Sequence, residues 1–331
     1  MKNWKKVGAV CMAAVMLASS LSMMGCGKKD EQIVIYSNAD DEAIEAMKKA
    51  LDENGYEGKY LLQAFGTSEL GGKLLAEGTN IEADLITMST FYVDSAQEQN
   101  NMFADLTFDR NPLTEYPAYE SPITAQEGAI IVNTQVLEEN NLPMPASIKD
   151  LANEEYAGMV SVTDIASSST AWLLIQALIS EYGEDETKEI LTKIYENAGP
   201  HIEDSGSGPI KKVRAGEVAV GFGLRHQAVA DKAEGKLPID YVDPTEGNFS
   251  LTESVAVVNK GGEKQELAME MADCIINKGR SELIKTYPTP LYEGESADSE
   301  TKSKNPKVFS EPLTVELLEK HQALSEECMK K

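Results

Sequence analysis

The 331-residue sequence has few cations, few histidines and few cysteines for its length. Lysine and arginine number 30 against 55 aspartate and glutamate residues, which gives a formal net charge of -25. A surface this acidic repels nucleic acid and anionic lipid head groups, so neither is expected as a partner. Aromatic residues make up only 6%, but 42% of the chain is hydrophobic, and its length suffices for two globular domains with their own cores.

The motifs of several enzyme classes are also missing. A P-loop needs Ser or Thr directly after its Gly-Lys, and here Leu74 follows Lys73. The sequence contains no G-x-S-x-G elbow and no H-E-x-x-H pair, and it offers only three histidines as general bases. Because Cys-x-x-Cys and Cys/His ligand spacings are absent too, we expect no catalysis, no cofactor and no metal centre.

The chain begins with a basic and then an apolar segment. Three lysines precede the apolar residues 7–24, as in a secretory signal, and Cys26 separates that run from a polar stretch. This arrangement resembles a bacterial lipobox with Met23 in place of the usual leucine, in which the cysteine is lipidated. We therefore expect a lipoprotein signal peptide at 1–25 and a tether at 26–32, with Cys26 as the lipid anchor. A cysteine in a plain signal peptide or an uncleaved anchor is the alternative.

Few cysteines remain for a disulfide in the mature chain. Cys11 would leave with the signal peptide, so only Cys274 and Cys328 could pair. Cys274 falls on the apolar side of the helix-like segment 266–279, which favours a core position over a bridge.

Strand-like and helix-like segments alternate along the rest of the chain. Short β-branched runs are each followed by a turn of small hydroxyl residues and an amphipathic segment, which is typical of parallel α/β sheets covered on both faces. Ligands in such sheets bind at the carboxyl ends of strands, where helix N-termini offer free N–H groups. Helix capping alone explains any single turn, so the binding hypothesis depends on their recurrence. The candidate binding residues are Ser37, Asn38, Thr67, Ser68, Ser89, Thr90, Ser168, Ser169, Thr170, Ser205 and Ser207.

The order of these pieces resembles the solute-binding proteins of ABC importers, in the branch that includes binders of ferric ion, phosphonates, thiamine and sugar phosphates. The resemblance runs from Ile33 to about Pro290 and includes IVIYSNADDEAIEAMKKAL, GTSELGGKLLAEG and DSGSGPIKKVRAGEVAVGFG. It implies an α/β, two-lobed type II periplasmic-binding-protein fold that closes on its ligand. The implied interlobe crossovers lie near 128–133 and 253–260. Lobe one would then comprise 33–130 plus 256–331, and lobe two would comprise 131–255.

The resemblance also bears on the ligand. Ferric binders of this family carry adjacent tyrosines where residues 223–227 read Gly-Leu-Arg-His-Gln, and the sequence has no Tyr-Tyr pair. Arg225 would repel a cation but suits phosphate or carboxylate, and His226 can donate to the same oxygens. Glu246 could accept from an amine or sugar hydroxyls. Each of the three residues also has an ordinary structural explanation. Arg225 could form an ion pair with a nearby acid, His226 could be an ordinary helix residue, and Glu246 could be a solvated loop acid.

The sequence therefore predicts a lipid-anchored, extracytoplasmic component of an ABC importer that acts as a monomer. It would capture a small organic phosphate or phosphonate and deliver it to a permease with ATPase subunits. A ferric-ion or ferric-chelate binder of the same family is the alternative. A secreted hydrolase is less well supported, because no nucleophile and base can be paired.

Overall fold

The computed structural model describes residues 32–299 and 301–330. The strands are β1 (Ile33–Ser37), β2 (Tyr60–Ala64), β3 (Leu85–Ser89), β4 (Phe103–Ala104), β5 (Glu120–Asn133), β6 (Val160–Thr163), β7 (Ile202–Glu203), β8 (Val220–Leu224), β9 (Ile239–Val242), β10 (Asn248–Val258) and β11 (Pro306–Lys307). The helices are α1 (Asp41–Leu51), α2 (Thr67–Glu77), α3 (Thr90–Asn100), α4 (Thr134–Glu139), α5 (Thr170–Ala198), α6 (Gly208–Arg214), α7 (Arg225–Glu234), α8 (Gly262–Cys274), α9 (Arg280–Thr286) and α10 (Val315–Met329). The predicted signal peptide and Cys26 lie outside the described residues.

The first lobe is built on the parallel strands β2, β1 and β3, with β10 antiparallel beside β3. All five residues of β1 are buried, as expected of an apolar, β-branched strand covered on both faces. The helix α1 starts where it does because the Asp40 carboxylate accepts from the Ala43 backbone N–H at 3.1 Å. Its apolar side, with Met47 and Leu51, packs in one core with α8 and the segment around Leu283.

The strand β5 passes from one lobe to the other. Residues 120–127 pair with β10, whereas residues 128–132 pair with β8. Gly128 stands at this switch, and a Cβ there would lie 2.5 Å from the Phe222 ring, so no larger residue fits. β5 therefore changes its pairing partner between residues 127 and 128.

The second crossover lies earlier in the chain than the sequence predicted. β10 already pairs with β3 from Glu253 onward, and β9 of the second lobe ends at Val242. The return to the first lobe thus falls between 243 and 252, not at 253–260. No local feature of the sequence indicates the residue at which β10 begins to pair with β3.

The end of the chain does not follow the predicted lobe division. The helix α10 packs against α5 of the second lobe, where the Trp172 indole N–H donates to His321 Nδ1 at 2.7 Å. Tyr195 and Ser325 join their hydroxyls at 2.6 Å between the same two helices. The assignment of 256–331 to lobe one is therefore wrong for α10, because this helix buries its apolar face on the second lobe.

The two cysteines in the described chain occupy different places. Cys274 Sγ donates to the Ala50 carbonyl at 3.4 Å in the first-lobe core, and Cys328 Sγ donates to the Lys188 carbonyl at 3.5 Å. The core position predicted for Cys274 is confirmed. Over residues 32–299 and 301–330, every helix is too short or too polar to traverse a lipid bilayer.

Candidate functional site

A cavity of about 370 Å³ lies where strand ends and helix starts of both lobes meet. The starts of α1, α2 and α5 reach it, together with the turn before α6. First-turn N–H groups have no partner within their own helix, so such a meeting point is rich in donors. Its polar lining comprises Asn38, Asp40, Asp41, Thr67, Glu69, Gln126, Ser167, Ser168, Ser169, Thr170, Asp204, Ser205, Ser207, Lys211 and Glu253.

The first-lobe wall is organised by Asn38. Its side-chain amide donates to Thr67 Oγ1 at 3.1 Å and to Ser89 Oγ at 3.2 Å. Ser37 lies behind this wall, where it accepts from the Thr87 hydroxyl at 2.6 Å. Of the residues that the sequence singled out here, Asn38 and Thr67 line the cavity, whereas Ser37 and Ser89 are buried beneath it.

Two further hydroxyl residues of this lobe face elsewhere. Thr90 donates to the Thr252 carbonyl at 3.1 Å and lies 3.0 Å from Ser254 Oγ. Ser68 follows Thr67 on α2 but is not among the residues that line the cavity. Neighbouring positions in a helix point in different directions, which is why one of the pair reaches the cavity and the other does not.

The second-lobe wall consists of two turns in direct contact. Ser168, Ser169 and Thr170 precede or begin α5, while Ser205 and Ser207 precede α6, and all five line the cavity. A Cβ on Gly206 would lie 2.2 Å from Thr170 Oγ1, so only glycine lets the turns approach this closely. Five of the predicted hydroxyl residues are thus brought together on one wall.

The lobes touch across the cavity. Thr67 Oγ1 lies 3.5 Å from Ser169 Oγ, and the Gln227 amide donates to Glu42 Oε1 at 3.2 Å. Each contact joins a first-lobe residue to a second-lobe residue. Residues of both lobes therefore line the cavity and contact one another beside it.

Charge around the cavity is mostly negative. Among the described residues that line it, Lys211 is the only lysine or arginine. Asp41, Glu69 and Asp204 also line it but are exposed, so water and salt screen their charges. The two buried acids, Asp40 and Glu253, need a separate account.

Asp40 is ionised and held by neighbours. Burial alone would raise its pKa, but His226, the Tyr287 hydroxyl and the Ala43 N–H together lower the pKa below its ordinary value. His226 Nε2 lies 3.1 Å from Asp40 Oδ2, which places the predicted His226 behind Asp40 rather than on the cavity.

Glu253 lies on the cavity floor and was missed by the sequence reasoning. It is 6% exposed, and its Oε2 accepts from Thr124 Oγ1 at 3.2 Å. Burial, followed by the negative charge of Asp40, raises the pKa of Glu253 to about 8, so the acid is largely protonated at neutral pH. The signal that could have revealed Glu253 is its position directly before the apolar run SVAVV in a predicted strand.

Arg225 does not reach the cavity. It is 2% exposed and forms a bidentate pair with Asp243, with Nε to Oδ1 at 2.6 Å and Nη2 to Oδ2 at 3.2 Å. Its remaining donors bind the carbonyls of Thr301 and Lys302. The expectation that it binds an anion is corrected, because each of its three guanidinium nitrogens is engaged within the protein and the residue does not line the cavity.

Glu246 also has a structural place. Its carboxylate is fully buried and accepts from the backbone N–H groups of Ile148 and Lys149, both at 3.0 Å. The Tyr182 hydroxyl donates to it at 3.1 Å. Glu246 therefore anchors the short helical segment Ile148–Ala152 and is not a solvated loop acid or a cavity residue.

Comparison with known proteins identifies a protein family and a relative that this chain resembles. The model of a family described as bacterial extracellular solute-binding protein matches residues 83–310, more than half of the chain. An uncharacterized protein of Haemophilus influenzae is 25% identical over 285 residues, which is 83% of this chain and 81% of that protein.

Solved structures share the fold at lower sequence identity. The periplasmic binding protein AfuA from Actinobacillus pleuropneumoniae, with exogenous fructose-6-phosphate bound, is 21% identical with a TM-score of 0.69, covering 91% of this chain and 97% of that chain. Iron-bound HitA from Pseudomonas aeruginosa is 18% identical with a TM-score of 0.69, covering 90% and 99%. The predicted two-lobed type II periplasmic-binding-protein fold is confirmed by these likenesses.

Proposed function

The chain belongs to the bacterial extracellular solute-binding proteins, and from this premise we propose that it captures a small organic phosphate or phosphonate between its lobes. The family and fold are those of binding proteins of ABC importers rather than enzymes. The solute would close the lobes by contacting both of them, which shifts the population toward the closed form.

The observation that carries the proposal is the paired hydroxyl turns of the second lobe. Ser168, Ser169 and Thr170 meet Ser205 and Ser207 on one wall, at the start of the long helix α5. Several hydroxyl groups gathered on one wall can donate to a group with several anionic oxygens. Isolated capping residues would be scattered along the sheet edge and would not share a wall.

The charges are compatible with an anion despite the surplus of acids. Asp40 belongs to the first lobe, whereas the hydroxyl turns belong to the second, and the raised pKa of Glu253 leaves that acid largely neutral in the ligand-free protein. Lys211, on the second-lobe side, supplies the one positive charge among the described residues that line the cavity. An anion bound against the turns would therefore meet Lys211 and neutral hydroxyl groups, whereas solvent screens the exposed Asp204 of the same wall.

A thermal-shift panel tests the proposal. The probes are fructose 6-phosphate, glucose 6-phosphate, ethylphosphonate and orthophosphate, with fructose and glucose as the matched phosphate-free controls. A compound that binds only the folded state stabilises it by about 2.7 kcal/mol at a hundredfold excess over its Kd. We expect shifts only with phosphorus-containing probes. A shift with the free sugars and not with their phosphates would refute the proposal.

A second candidate is a metal ion as solute. Asp40, Glu42 and His226 offer one atom each within 4.8 Å of one another. We rank this candidate lower because Asp40 Oδ1 is already engaged by the Ala43 N–H and the Tyr287 hydroxyl. Ferric citrate in the same panel decides: stabilisation by it that is lost in His226→Ala, with none by the phosphates, would favour the metal.

Location and partners complete the proposal. An acyl anchor on Cys26 would hold the protein outside the cytoplasmic membrane, where it would act as a monomer and pass its solute to a permease driven by ATPase subunits. Growth of cells in a radiolabelled glycerol or fatty-acid medium and replacement of Cys26 by Ser test the anchor: label and membrane association are expected for the native chain and neither for Cys26→Ser.

A further inference from the structure

We propose that Glu253, with Asp40 and Asn38 beside it, forms a subsite on the floor of the cavity for a positively charged nitrogen of the solute. This inference rests on the proposed function, since it assigns the second end of the phosphate-bearing solute. The solute would then be zwitterionic, with its anionic group on the hydroxyl turns of the second lobe.

Burial and unused acceptors support this subsite. The side chain of Asp40 is only 6% exposed, and its Oδ2 lies 3.1 Å from His226 Nε2. Asn38 Oδ1 is buried and has no hydrogen-bond partner among the described residues. The contacts of Asn38 with Thr67 and Ser89 are both made by its side-chain nitrogen. Glu253 Oε2 accepts from Thr124 Oγ1, and the side chains of Gln126 and Asn38 also hydrogen-bond to this carboxyl group. Glu253 is largely protonated in the ligand-free protein, and its proton would leave to solvent when an ammonium group binds. An ammonium group brings three donors and no acceptor, which matches a floor whose spare capacity is acceptor capacity.

The backbone directs Glu253 to this place. The register between β10 and β5 shifts between Glu253 and Ser254, so that Ile123 is left without an opposite residue. A bulge of this kind re-aims a side chain and is found beside binding sites. Glu253 lies on the cavity floor where β10 pairs with β5.

The local charge favours a cation as the guest. The groups that face Glu253 are Asp40 from the start of α1 and, beyond it, Tyr287 and His226. Lys211 lies in the second lobe and contributes to the opposite wall. A solute nitrogen on the floor would supply a positive charge next to two buried acids, Asp40 and Glu253.

Matched ligand pairs test the inference by isothermal titration calorimetry. The pairs are 2-aminoethylphosphonate against propylphosphonate and glucosamine 6-phosphate against glucose 6-phosphate, in which only the amine differs. For at least one pair the native protein should bind the amine-bearing member about tenfold more tightly or better, the effect of a charge-assisted hydrogen bond. Glu253→Gln keeps the shape and should abolish this preference. The control Glu263→Gln removes an exposed acid of α8 outside the cavity and should retain it.

The outcomes separate the inference from the proposed function. Equal affinity for both members of each pair in the native protein would overturn the inference and leave the phosphate site standing, and this result does not depend on whether a variant folds. An amine preference that persists in Glu253→Gln would also overturn it. If none of the four compounds and no other phosphate binds, the proposed function itself fails.

Discussion

Thr67 Oγ1 lies 3.5 Å from Ser169 Oγ, although one hydroxyl belongs to the first lobe and the other to the second. The two groups meet at the starts of α2 and α5. A solute bound between them would therefore receive donors from both lobes.

Removal of either hydroxyl should weaken binding. In Thr67→Ala or Ser169→Ala we expect the affinity for fructose 6-phosphate to fall about tenfold, since a hydrogen bond to a charged group contributes about 1.5–3 kcal/mol. Calorimetric titration measures the change. The control is Ser147→Ala, which removes a capping hydroxyl outside the cavity and should cost stability but not affinity. Unchanged affinity in both cavity variants would contradict this account of the turns.

Arg225 should matter for stability and not for recognition. Arg225→Met leaves Asp243 buried without its partner, and breaking such a pair costs about 3–5 kcal/mol of unfolding free energy. Adding Asp243→Leu should recover part of that loss. Urea unfolding measures both changes. A folded Arg225→Met protein that has lost fructose 6-phosphate binding would show that the anion role was rightly given to this residue.

Gly206 should be intolerant of a methyl group. In Gly206→Ala the new Cβ would meet Thr170 Oγ1 at 2.2 Å and force the two turns of the second lobe apart. We expect weaker phosphate binding with the fold retained. Gly72→Ala is the matched control, because nothing lies within 4 Å of its Cβ, and alanine stabilises a helix interior by up to about 1 kcal/mol. Equal effects of the two substitutions would contradict the close contact.

Stability of the ligand-free protein should depend on Glu253 and pH. The pKa of this acid rises from 4.5 to about 8 on folding, so the native state holds a proton that the unfolded chain loses. Its stabilising contribution is complete below about pH 4.5 and is lost as the pH rises through about 8, at about 1 kcal/mol per pH unit in between. Urea unfolding of native protein and Glu253→Gln at pH 5.5 and pH 8 measures it. The difference between the two proteins should change with pH, and a constant difference would refute the buried acid.

Local sequence features predicted the hydroxyl wall well. Ser168, Ser169, Thr170, Ser205 and Ser207 lie on the cavity because the end of a strand and the start of a helix fix their position. The alternation of strands and helices likewise predicted the α/β fold, which the structural likenesses confirm.

The misplaced residues depend on contacts between distant segments. Arg225 is engaged by Asp243 and by carbonyls some 75 residues further on, at Thr301 and Lys302. Glu246 is engaged by backbone groups nearly 100 residues earlier. No local pattern encodes such partners. Glu253 escaped notice because its importance comes from burial beside Asp40, which only the folded chain brings about.

One titration tests the central claim most directly. Calorimetry with fructose 6-phosphate on the native protein and on Ser168→Ala/Ser169→Ala compares the same solute with and without the hydroxyl turn. We predict saturable binding at one site in the native protein and a loss of about tenfold or more in the variant, at a nearly unchanged melting temperature. Equal binding by both proteins would contradict the claim that this turn holds the anionic end of the solute.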